Sequence, residues 1–509
     1  MRYQSANLFD LIEARARHPG KLALDTGDAA AMTYGDLFKR SARAANALVA
    51  LGVKAGDRVA VQIEKSTDVI VLALACLQAG AVFLPLNTAY TLAELEYFLG
   101  DADPTLTVCR PDQIEQVRTL AHRLGLRAVE SLGVKGDGTF AAAIAAAPSE
   151  FETTPRGSGD LAAILYTSGT TGRSKGAMLT HENLSSNALT LIDCWRFSPA
   201  DRLIHALPVF HTHGLFVAVN VALMSGATMI FMPKFDPAAV IAALPGATAM
   251  MGVPTFYTRL LDHPGLTREA CADMRVFISG SAPLLAETHI AWQERTGFAI
   301  LERYGMTETN MITSNPYDGE RRPGTVGFAL PGVSVRIADP EGGAPIRADE
   351  IGVIEVKGPN VFAGYWRMPE KTAQEFRADG YFITGDLARI DSDGYVHIVG
   401  RAKDLVISGG FNVYPKEVET EIDAIEGVLE SAVFGVAHAD FGEAVTAAVV
   451  AHPGAALSES AILSALGARL AKFKTPKQII LVDALPRNAM GKVQKAALRE
   501  AYKDIYRGA

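Results

Sequence analysis

A loop rich in glycine, hydroxyl and basic residues carries the strongest chemical signal in the sequence. It follows a short apolar segment that ends at Tyr166. Its members are Thr167, Ser168, Gly169, Thr170, Thr171, Gly172, Arg173, Ser174, Lys175 and Gly176. Glycines expose backbone N–H groups, hydroxyls donate hydrogen bonds and the two basic side chains supply positive charge, so the segment suits a polyphosphate. The order of its residues is not that of a Walker A loop, and a flexible surface loop is the alternative interpretation.

Five further motifs follow this loop along the chain. They are Tyr304-Gly305-Met306-Thr307-Glu308, Gly364-Tyr365-Trp366, Thr384-Gly385-Asp386, Gly400-Arg401-Ala402-Lys403-Asp404 and Pro486-Arg487-Asn488-Ala489-Met490-Gly491-Lys492. Together with the loop, and in this order, they resemble the motifs of the acyl-adenylate-forming enzymes. That family includes acyl-CoA synthetases, peptide-synthetase adenylation domains and luciferases. The resemblance implies that ATP and a carboxylic acid form an acyl-adenylate, which the thiol of coenzyme A then attacks.

The resemblance also implies which residues act in adenylation. Lys492 and Thr307 would stabilise the charge that develops at the α-phosphate, and Glu308 would bind Mg²⁺. This step is needed because a carboxylate is a poor electrophile until it carries AMP as a leaving group. The alternatives are a solvated lysine near the C-terminus and, for Glu308, an acid at a helix N-terminus stabilised by the helix dipole.

The AMP portion has its own set of implied contacts. Tyr304 would present its ring to adenine, Asp386 would accept hydrogen bonds from the ribose hydroxyls, and Arg401 would assist at the ribose. Other residues implied in nucleotide binding are Ser281, Ala282, Pro283, Glu302, Gly305 and Met306. The alternatives are a core tyrosine, an aspartate that caps a turn and an arginine in an interdomain ion pair.

Thiolation requires a path for the pantetheine arm of coenzyme A. The family forms this path by rotating its small C-terminal domain about a hinge residue, which corresponds to Lys403. Ser408, Gly409 and Gly410 resemble the loop that lines the pantetheine channel, where missing side chains allow close approach. A simple Gly-Gly turn between a strand and a helix is the alternative.

Arg303 is the residue that departs most informatively from the family pattern, in which this position is usually glycine. A guanidinium beside the acyl site would exclude a fatty or aryl tail but could bind a second carboxylate with two hydrogen bonds. Ser281 replaces a frequent alanine or glycine and adds a hydroxyl to the same region. His211 and Arg259 are further candidates for the acid site. The alternatives are pairing of Arg303 with Glu302, a surface helix for Arg259 and a core or gating role for His211.

These departures resemble the members of the family that activate malonate, in some cases also methylmalonate. The prediction is therefore a ligase that converts ATP, a malonate-type acid and coenzyme A into an acyl-CoA, AMP and pyrophosphate. Two alternatives stay open. One is another short acid, such as acetate, propionate or a small aryl acid, and the other is an adenylation enzyme that loads a carrier protein.

The elements that position these residues follow from the hydrophobic pattern. Short apolar runs, including Arg58–Gln62, Leu161–Tyr166, Leu203–Leu207 and Val276–Ser279, alternate with segments of helical period such as Glu182–Trp195 and Glu287–Arg295. This alternation predicts an α/β fold with largely parallel, buried strands. We expect a large N-terminal domain of helix-covered mixed sheets, residues 1–402, with a β-rich part at 324–400. A small mobile α+β domain, residues 403–509, would follow.

Composition excludes several classes of protein. Because 56 acidic residues outnumber 48 basic ones, a broad nucleic-acid surface is not expected. The four cysteines lack metal-ligand spacing, which indicates a reducing compartment. The apolar stretch 69–86 is interrupted by polar and turn residues, so no membrane helix is predicted. We therefore predict a cytoplasmic enzyme, and a lysine acetyltransferase and deacetylase acting on Lys492 as regulatory partners.

Overall fold

The computed structural model describes residues 6–167, 174–339, 342–409, 411–438, 440–467, 469–488 and 491–507. The chain forms two compact units. The first consists of Met1–Ser334 with Lys357–Phe376, and the second of Val335–Val356 with Arg377–Ala509. The predicted domain boundary at residues 402 and 403 falls inside the second unit and stays a prediction.

A nine-stranded sheet organises half of the first unit. Its strands, in spatial order, are Phe328–Ala329, Asn310–Ser314, Leu301–Met306, Val276–Ser279, Ala249–Gly252, Arg202–His205, Thr228–Phe231, Leu22–Asp25 and Met32–Thr33. The six central strands are parallel and the outer pairs are antiparallel. The antiparallel hairpin of Leu301–Met306 and Asn310–Ser314 carries the segment from Tyr304 to Glu308.

A seven-stranded sheet organises the other half of the first unit. Its strands, in spatial order, are Gly364–Tyr365, Gly176–Thr180, Leu161–Tyr166, Val82–Pro85, Arg58–Gln62, Leu106–Cys109 and Ala128–Ser131. Leu161–Tyr166 pairs antiparallel with Gly176–Thr180. The glycine- and hydroxyl-rich loop therefore connects the two strands of a hairpin. The strand pairs from Leu161–Tyr166 to Ala128–Ser131 are parallel, in agreement with the prediction of largely parallel strands.

Helices cover both sheets. Those of the first unit are Leu8–Arg15, Tyr34–Ala50, Thr67–Gln78, Leu92–Ala102, Ile114–Arg123, Thr139–Ala146, His181–Cys194, Asn220–Ser225, Pro237–Ala243, Pro254–Leu261, Ala286–Thr296 and Pro369–Gln374. Thr180 and Asn183 form a reciprocal capping box at the start of His181–Cys194. Residues His213–Val219 form a π-helix that continues into Asn220–Ser225. Such π-helical segments are rare and occur often at functional sites.

The second unit contains two smaller sheets. The first comprises Ser334–Ala338, Gly352–Lys357, Phe382–Ile390 and Val396–Arg401. The second comprises Phe411–Val413, Val406–Ser408, Gly442–Ala451 and Val428–His438, with Gln478–Leu481 parallel to Gly442–Ala451. Its helices are Pro415–Asp423, Glu459–Gly467 and Lys495–Ala501. Among the helices in the described ranges, none combines the length and apolar composition that crossing a bilayer requires.

Candidate active site

Arg303 lies in the strand Leu301–Met306 and is only 3% exposed. Side chains alternate between the two faces of a strand, so Glu302 and Arg303 point in opposite directions. Glu302 accepts a hydrogen bond from the Leu284 N–H at 3.2 Å. In the described ranges the Nε and Nη2 atoms of Arg303 have no hydrogen-bond partner. Burial lowers the pKa of Arg303 to about 9, so the group stays cationic at neutral pH.

Gly280 makes room for this guanidinium. A Cβ atom added at Gly280 would lie 2.4 Å from Cζ of Arg303 and 2.5 Å from Nη1. Such distances are far inside van der Waals contact, so the guanidinium packs directly against the backbone of residue 280. A side chain at this position would displace Arg303 from its buried location.

Ser281 and His213 form a polar pair in the same region. His213 Nδ1 lies 3.1 Å from Ser281 Oγ, and Ser281 adopts a left-handed backbone conformation with φ of 73°. Such a conformation is uncommon for serine and marks a position held by its surroundings. When the hydroxyl donates to Nδ1, the imidazole proton resides on Nε2, which has no partner among the described residues.

His213 is uncharged at neutral pH. Burial lowers its pKa well below the ordinary value, and the positive charge of Arg303 acts in the same direction. A neutral imidazole that presents an N–H group can donate to an anion without being a cation itself. The Nε2–H of His213 and the Nε and Nη2 groups of Arg303 are thus buried donors that find no acceptor among the residues that the structure describes.

Sequence reasoning selected His211 and missed His213. His211 is half-buried, and its Nδ1 accepts a hydrogen bond from the His213 N–H at 3.3 Å. His213 is fully buried at the start of the π-helix. The His-x-His pattern signalled both residues, but only the backbone conformation decides which ring faces Ser281. Tyr257, which donates to the Ile278 carbonyl at 2.6 Å and lies near Arg303, gave no sequence signal.

Arg259 requires a correction. It is exposed in the last turn of Pro254–Leu261, whereas Tyr257 and Leu260 are the buried residues of that helix. In this helix the face bearing Arg259 is turned away from the core. The surface-helix interpretation therefore replaces the proposed acid contact.

Glu308 occupies the turn of the hairpin that begins with Leu301–Met306. Met306 and Asn310 are opposite each other, and Asn310 has φ of 48°. The alternative of a helix N-terminal acid was therefore wrong. Glu308 is 6% exposed and accepts a hydrogen bond from the Tyr365 hydroxyl at 3.0 Å. The neighbouring residues Tyr304, Gly305, Met306 and Thr307 are half-buried.

Only the two ends of the glycine- and hydroxyl-rich loop can be placed. Ser168, Gly169, Thr170, Thr171 and Gly172 lie outside the described residues. The Thr167 N–H donates to the Lys175 carbonyl at 2.9 Å, which closes the base of the loop. The Lys175 ammonium forms an ion pair with Glu375 at 3.0 Å.

Asp386 and Arg401 face each other across adjacent antiparallel strands of the second unit. Arg401 Nε lies 2.5 Å from Asp386 Oδ1, and the Asp386 side chain is 5% exposed. Asp386 belongs to the strand Phe382–Ile390, so the alternative of a turn-capping aspartate was wrong. The ion pair of Arg401 is a cross-strand contact that orients Asp386.

The other predicted residues of the second unit lie in turns and strand ends. Lys403 is exposed in the 3₁₀ turn Ala402–Asp404. Ser408 is buried at the end of a strand, and Gly409 begins the connection to Phe411–Val413, so this turn joins two strands rather than a strand and a helix. Gly410 lies outside the described residues. Lys492 is exposed, and its N–H donates to Asn488 Oδ1 at 3.0 Å.

The protein side chains fit a Mg²⁺ ion that is shared with a nucleotide. Across the described ranges no group of three or more histidine, cysteine, aspartate or glutamate side chains could hold a metal. Mg²⁺ commonly uses one or two carboxylates together with substrate phosphates and water. Glu308 supplies such a carboxylate at a buried position, so it would hold the ion together with the phosphates.

Comparison with known proteins identifies the class. A family model described as AMP-binding enzyme matches residues 11–366, and one described as AMP-binding enzyme C-terminal domain matches residues 417–492. The chain therefore belongs to the AMP-binding enzyme family.

Three individual proteins are similar to the chain over most of its length. The chain is 61% identical to ATP-bound MatB from Rhodopseudomonas palustris, whose crystal structure superposes with a TM-score of 0.97 and covers 99% of this chain and 100% of that one. It is 37% identical to a feruloyl-CoA synthase of Amycolatopsis sp, over 93% of this chain and 94% of the relative. It is 34% identical to a malonate–CoA ligase of Arabidopsis thaliana, over 88% of this chain and 78% of the relative.

Proposed function

We propose that the protein is an ATP-dependent, AMP-forming ligase that joins malonate to coenzyme A. ATP and malonate form malonyl-adenylate and pyrophosphate, and the thiol of coenzyme A then displaces AMP to give malonyl-CoA. The single observation that carries the choice of acid is the buried guanidinium of Arg303, whose Nε and Nη2 have no partner among the described residues.

Electrostatics explains why that observation favours a dicarboxylic acid. A buried charge without a partner costs several kcal/mol, and arginine does not lose its proton at neutral pH. A second carboxylate can accept two hydrogen bonds from the guanidinium, with Nε2 of His213 as a further donor. An aryl or alkyl tail would leave all these donors unsatisfied. Malonate is short enough that one carboxylate can be activated while the other is bound.

Among the relatives whose names state their acid, sequence identity alone does not choose between acids. The feruloyl-CoA synthase is as similar to the chain as the malonate–CoA ligases, at 37% against 34% and 35%. Ferulate carries a single carboxylate and an aromatic ring, so a buried cation at position 303 opposes it. The buried cation at position 303 therefore supports the malonate–CoA ligases over the feruloyl-CoA synthase as the better guide to the acid.

The roles in adenylation follow from the chemistry of the groups. Lys492 and Thr307 would donate to the α-phosphate as charge develops there. Bound Mg²⁺ neutralises phosphate charge, and Glu308 would hold it. Asp386, oriented by Arg401, would accept from the ribose hydroxyls, and the half-buried ring of Tyr304 would contact adenine. In the second half-reaction, Lys403 would act as the hinge and Ser408 and Gly409 would line the thiol path.

We further propose that acetylation of Lys492 regulates the enzyme. Lys492 is exposed, so a lysine acetyltransferase can reach it, and acetylation would remove the charge needed at the α-phosphate. A deacetylase would restore activity. We place the enzyme in the cytoplasm, and methylmalonate is the acid we expect it to accept next after malonate.

Exchange of labelled pyrophosphate into ATP tests the choice of acid. We expect the highest kcat/KM with malonate, a lower value with methylmalonate, and background with succinate, acetate, butyrate and ferulate. Mass spectrometry after addition of coenzyme A should detect malonyl-CoA. Strong exchange with butyrate or ferulate and none with any diacid would refute the proposal.

A further inference from the structure

Glu375 connects two groups that the proposed reaction needs. Its Oε1 lies 3.0 Å from the Lys175 ammonium, and its Oε2 lies 2.6 Å from the Tyr365 hydroxyl. The same hydroxyl lies 3.0 Å from Oε1 of Glu308. The Lys175 ammonium also sits 3.9 Å from the centre of the Tyr365 ring. The phosphate-loop lysine and the carboxylate assigned to Mg²⁺ are therefore linked through two side chains.

The Tyr365 hydroxyl carries one proton and faces two carboxylates. Burial and the negative charges of Glu308 and Glu375 raise its pKa, so the phenol stays protonated. A phenol can donate to one acceptor at a time. The shorter contact, to Glu375, is the better hydrogen bond, so Glu375 competes with Glu308 for this proton.

Glu375 is ionised. Burial would raise its pKa, but hydrogen bonds from Tyr365, Lys371 and Lys175 together lower it below the ordinary value. Its side chain is 20% exposed, so the charge is partly shielded from water. An ionised carboxylate with these partners holds the Lys175 ammonium and the phenol in fixed positions at the same time.

We infer that Glu375 is a positioning residue for the nucleotide phosphates, because it holds the Lys175 ammonium directly and fixes the Tyr365 ring beside that ammonium through the phenol. An ammonium has three N–H groups, so Lys175 can keep its bond to Glu375 and donate the others to a phosphate. This inference rests on the proposed function, because it takes Mg·ATP as the ligand.

Glu375 follows the short helix Pro369–Gln374 and belongs to none of the sequence motifs. A purely structural role would be to tie this helix to the strands beside it. The two roles differ in their consequences. Loss of a structural tie lowers stability and affects all substrates, whereas loss of a positioning group weakens Mg·ATP selectively.

Calorimetric titration of Mg·ATP without any acid tests the inference. Glu375→Gln keeps the size of the side chain and removes its charge, and we expect it to weaken Mg·ATP binding about 5- to 20-fold with an unchanged unfolding midpoint. Glu370→Gln, the same change at an exposed position of the same helix, is the matched control and should bind as the parent does. In turnover assays KM for ATP should rise, while kcat at saturating ATP and KM for the acid stay within about twofold.

A double-mutant cycle sharpens the test. Tyr365→Phe keeps the ring against Lys175 and removes the shared proton, and we expect a similar loss of Mg·ATP affinity. Because the two side chains act as one unit, the double variant should bind no more weakly than the weaker single variant. Should Glu375→Gln fail to fold, Tyr365→Phe carries the same test by itself.

The outcomes separate this inference from the proposed function. Either of two results would overturn the inference. One is a Mg·ATP affinity within twofold of that of the parent in Glu375→Gln or, if that variant does not fold, in Tyr365→Phe. The other is that the losses of affinity multiply in the double variant. A parent protein that binds Mg·ATP but does not activate malonate would overturn only the choice of acid. A parent that does not bind Mg·ATP would overturn both.

Discussion

Two buried or half-buried cations of the first unit, Arg303 and Lys175, differ in whether the protein itself balances their charge. Lys175 has a carboxylate at 3.0 Å and an aromatic ring beneath it, so its charge is balanced within the protein. Arg303 is more deeply buried, and two of its nitrogens lack a partner in the described part of the chain. We therefore expect the balanced cation to be held in position for the phosphates and the unbalanced one to bind an anionic substrate. The comparison teaches that an unpaired buried charge is the more specific indicator of substrate.

Removing the unbalanced cation should give the largest effect. Arg303→Ala should lower kcat/KM for malonate about 100- to 1000-fold, because truncating one partner of a buried charge pair costs about 2–5 kcal/mol. The KM for ATP should stay within about threefold. Pyrophosphate exchange measures both parameters. Arg259→Ala, which removes an exposed arginine of the same unit, is the control, and an equal loss in the two variants would contradict the comparison.

Displacing the same guanidinium should give a smaller loss. Gly280→Ala places a Cβ where Arg303 Cζ lies 2.4 Å away, so we expect KM for malonate to rise about 10- to 100-fold. The measurement is again malonate-dependent exchange. Gly159→Ala, at an exposed glycine with no atom within 4 Å of the added Cβ, should behave as the parent does. An unchanged malonate KM in Gly280→Ala would show that the guanidinium position is not critical.

The comparison also predicts that only the change at the unbalanced cation raises stability. Arg303→Met should stabilise the folded protein by about 1–3 kcal/mol, since it removes a buried charge that has no carboxylate partner within the described ranges. Glu375→Gln should bring no such gain, because its charge is already balanced. Thermal unfolding measures both variants. Added malonate should raise the unfolding midpoint of the parent and leave that of Arg303→Met unchanged, and a destabilised Arg303→Met would be evidence against an unbalanced cation.

His289 shows what happens to a buried base that can release its proton. Neither ring nitrogen has a partner in the described ranges, and burial lowers its pKa to about 4. The folded state then keeps His289 neutral while the unfolded chain, with a pKa near 6.5, binds a proton. This residue therefore lowers stability as the pH falls from about 6.5 to about 4.

Removing His289 should flatten that pH dependence and gives the smallest effect of the series. Between pH 6.5 and pH 5 the free energy of unfolding should fall in both proteins, and the fall should be about 1–2 kcal/mol smaller in His289→Leu than in the parent. Chemical denaturation at the two pH values provides the measurement. Identical losses in the parent and the variant would refute the assignment. Arginine cannot shed its charge in this way, so we expect Arg303, unlike His289, to bind an anion.

Much of the fold followed from local pattern. The strands Arg58–Gln62, Leu161–Tyr166 and Val276–Ser279 have the predicted bounds, because short apolar runs between turns specify buried strands. The predicted helix Glu287–Arg295 differs from the observed Ala286–Thr296 by one residue at each end. The sequence did not predict the direction of every strand. The hairpin of Leu161–Tyr166 with Gly176–Thr180 depends on pairing that a single run does not encode.

The sequence by itself determined the class of chemistry, because ordered motifs of glycines, hydroxyls and charges reflect what phosphates and carboxylates require. It also singled out Arg303, because the corresponding position of the family that the motifs resemble is usually glycine. Only the tertiary structure decided that His213 rather than His211 faces Ser281, that Gly280 makes room for the guanidinium, and that Glu375 joins Lys175 to Tyr365. These are contacts between residues distant along the chain, and their distances are set by packing, which local sequence does not specify.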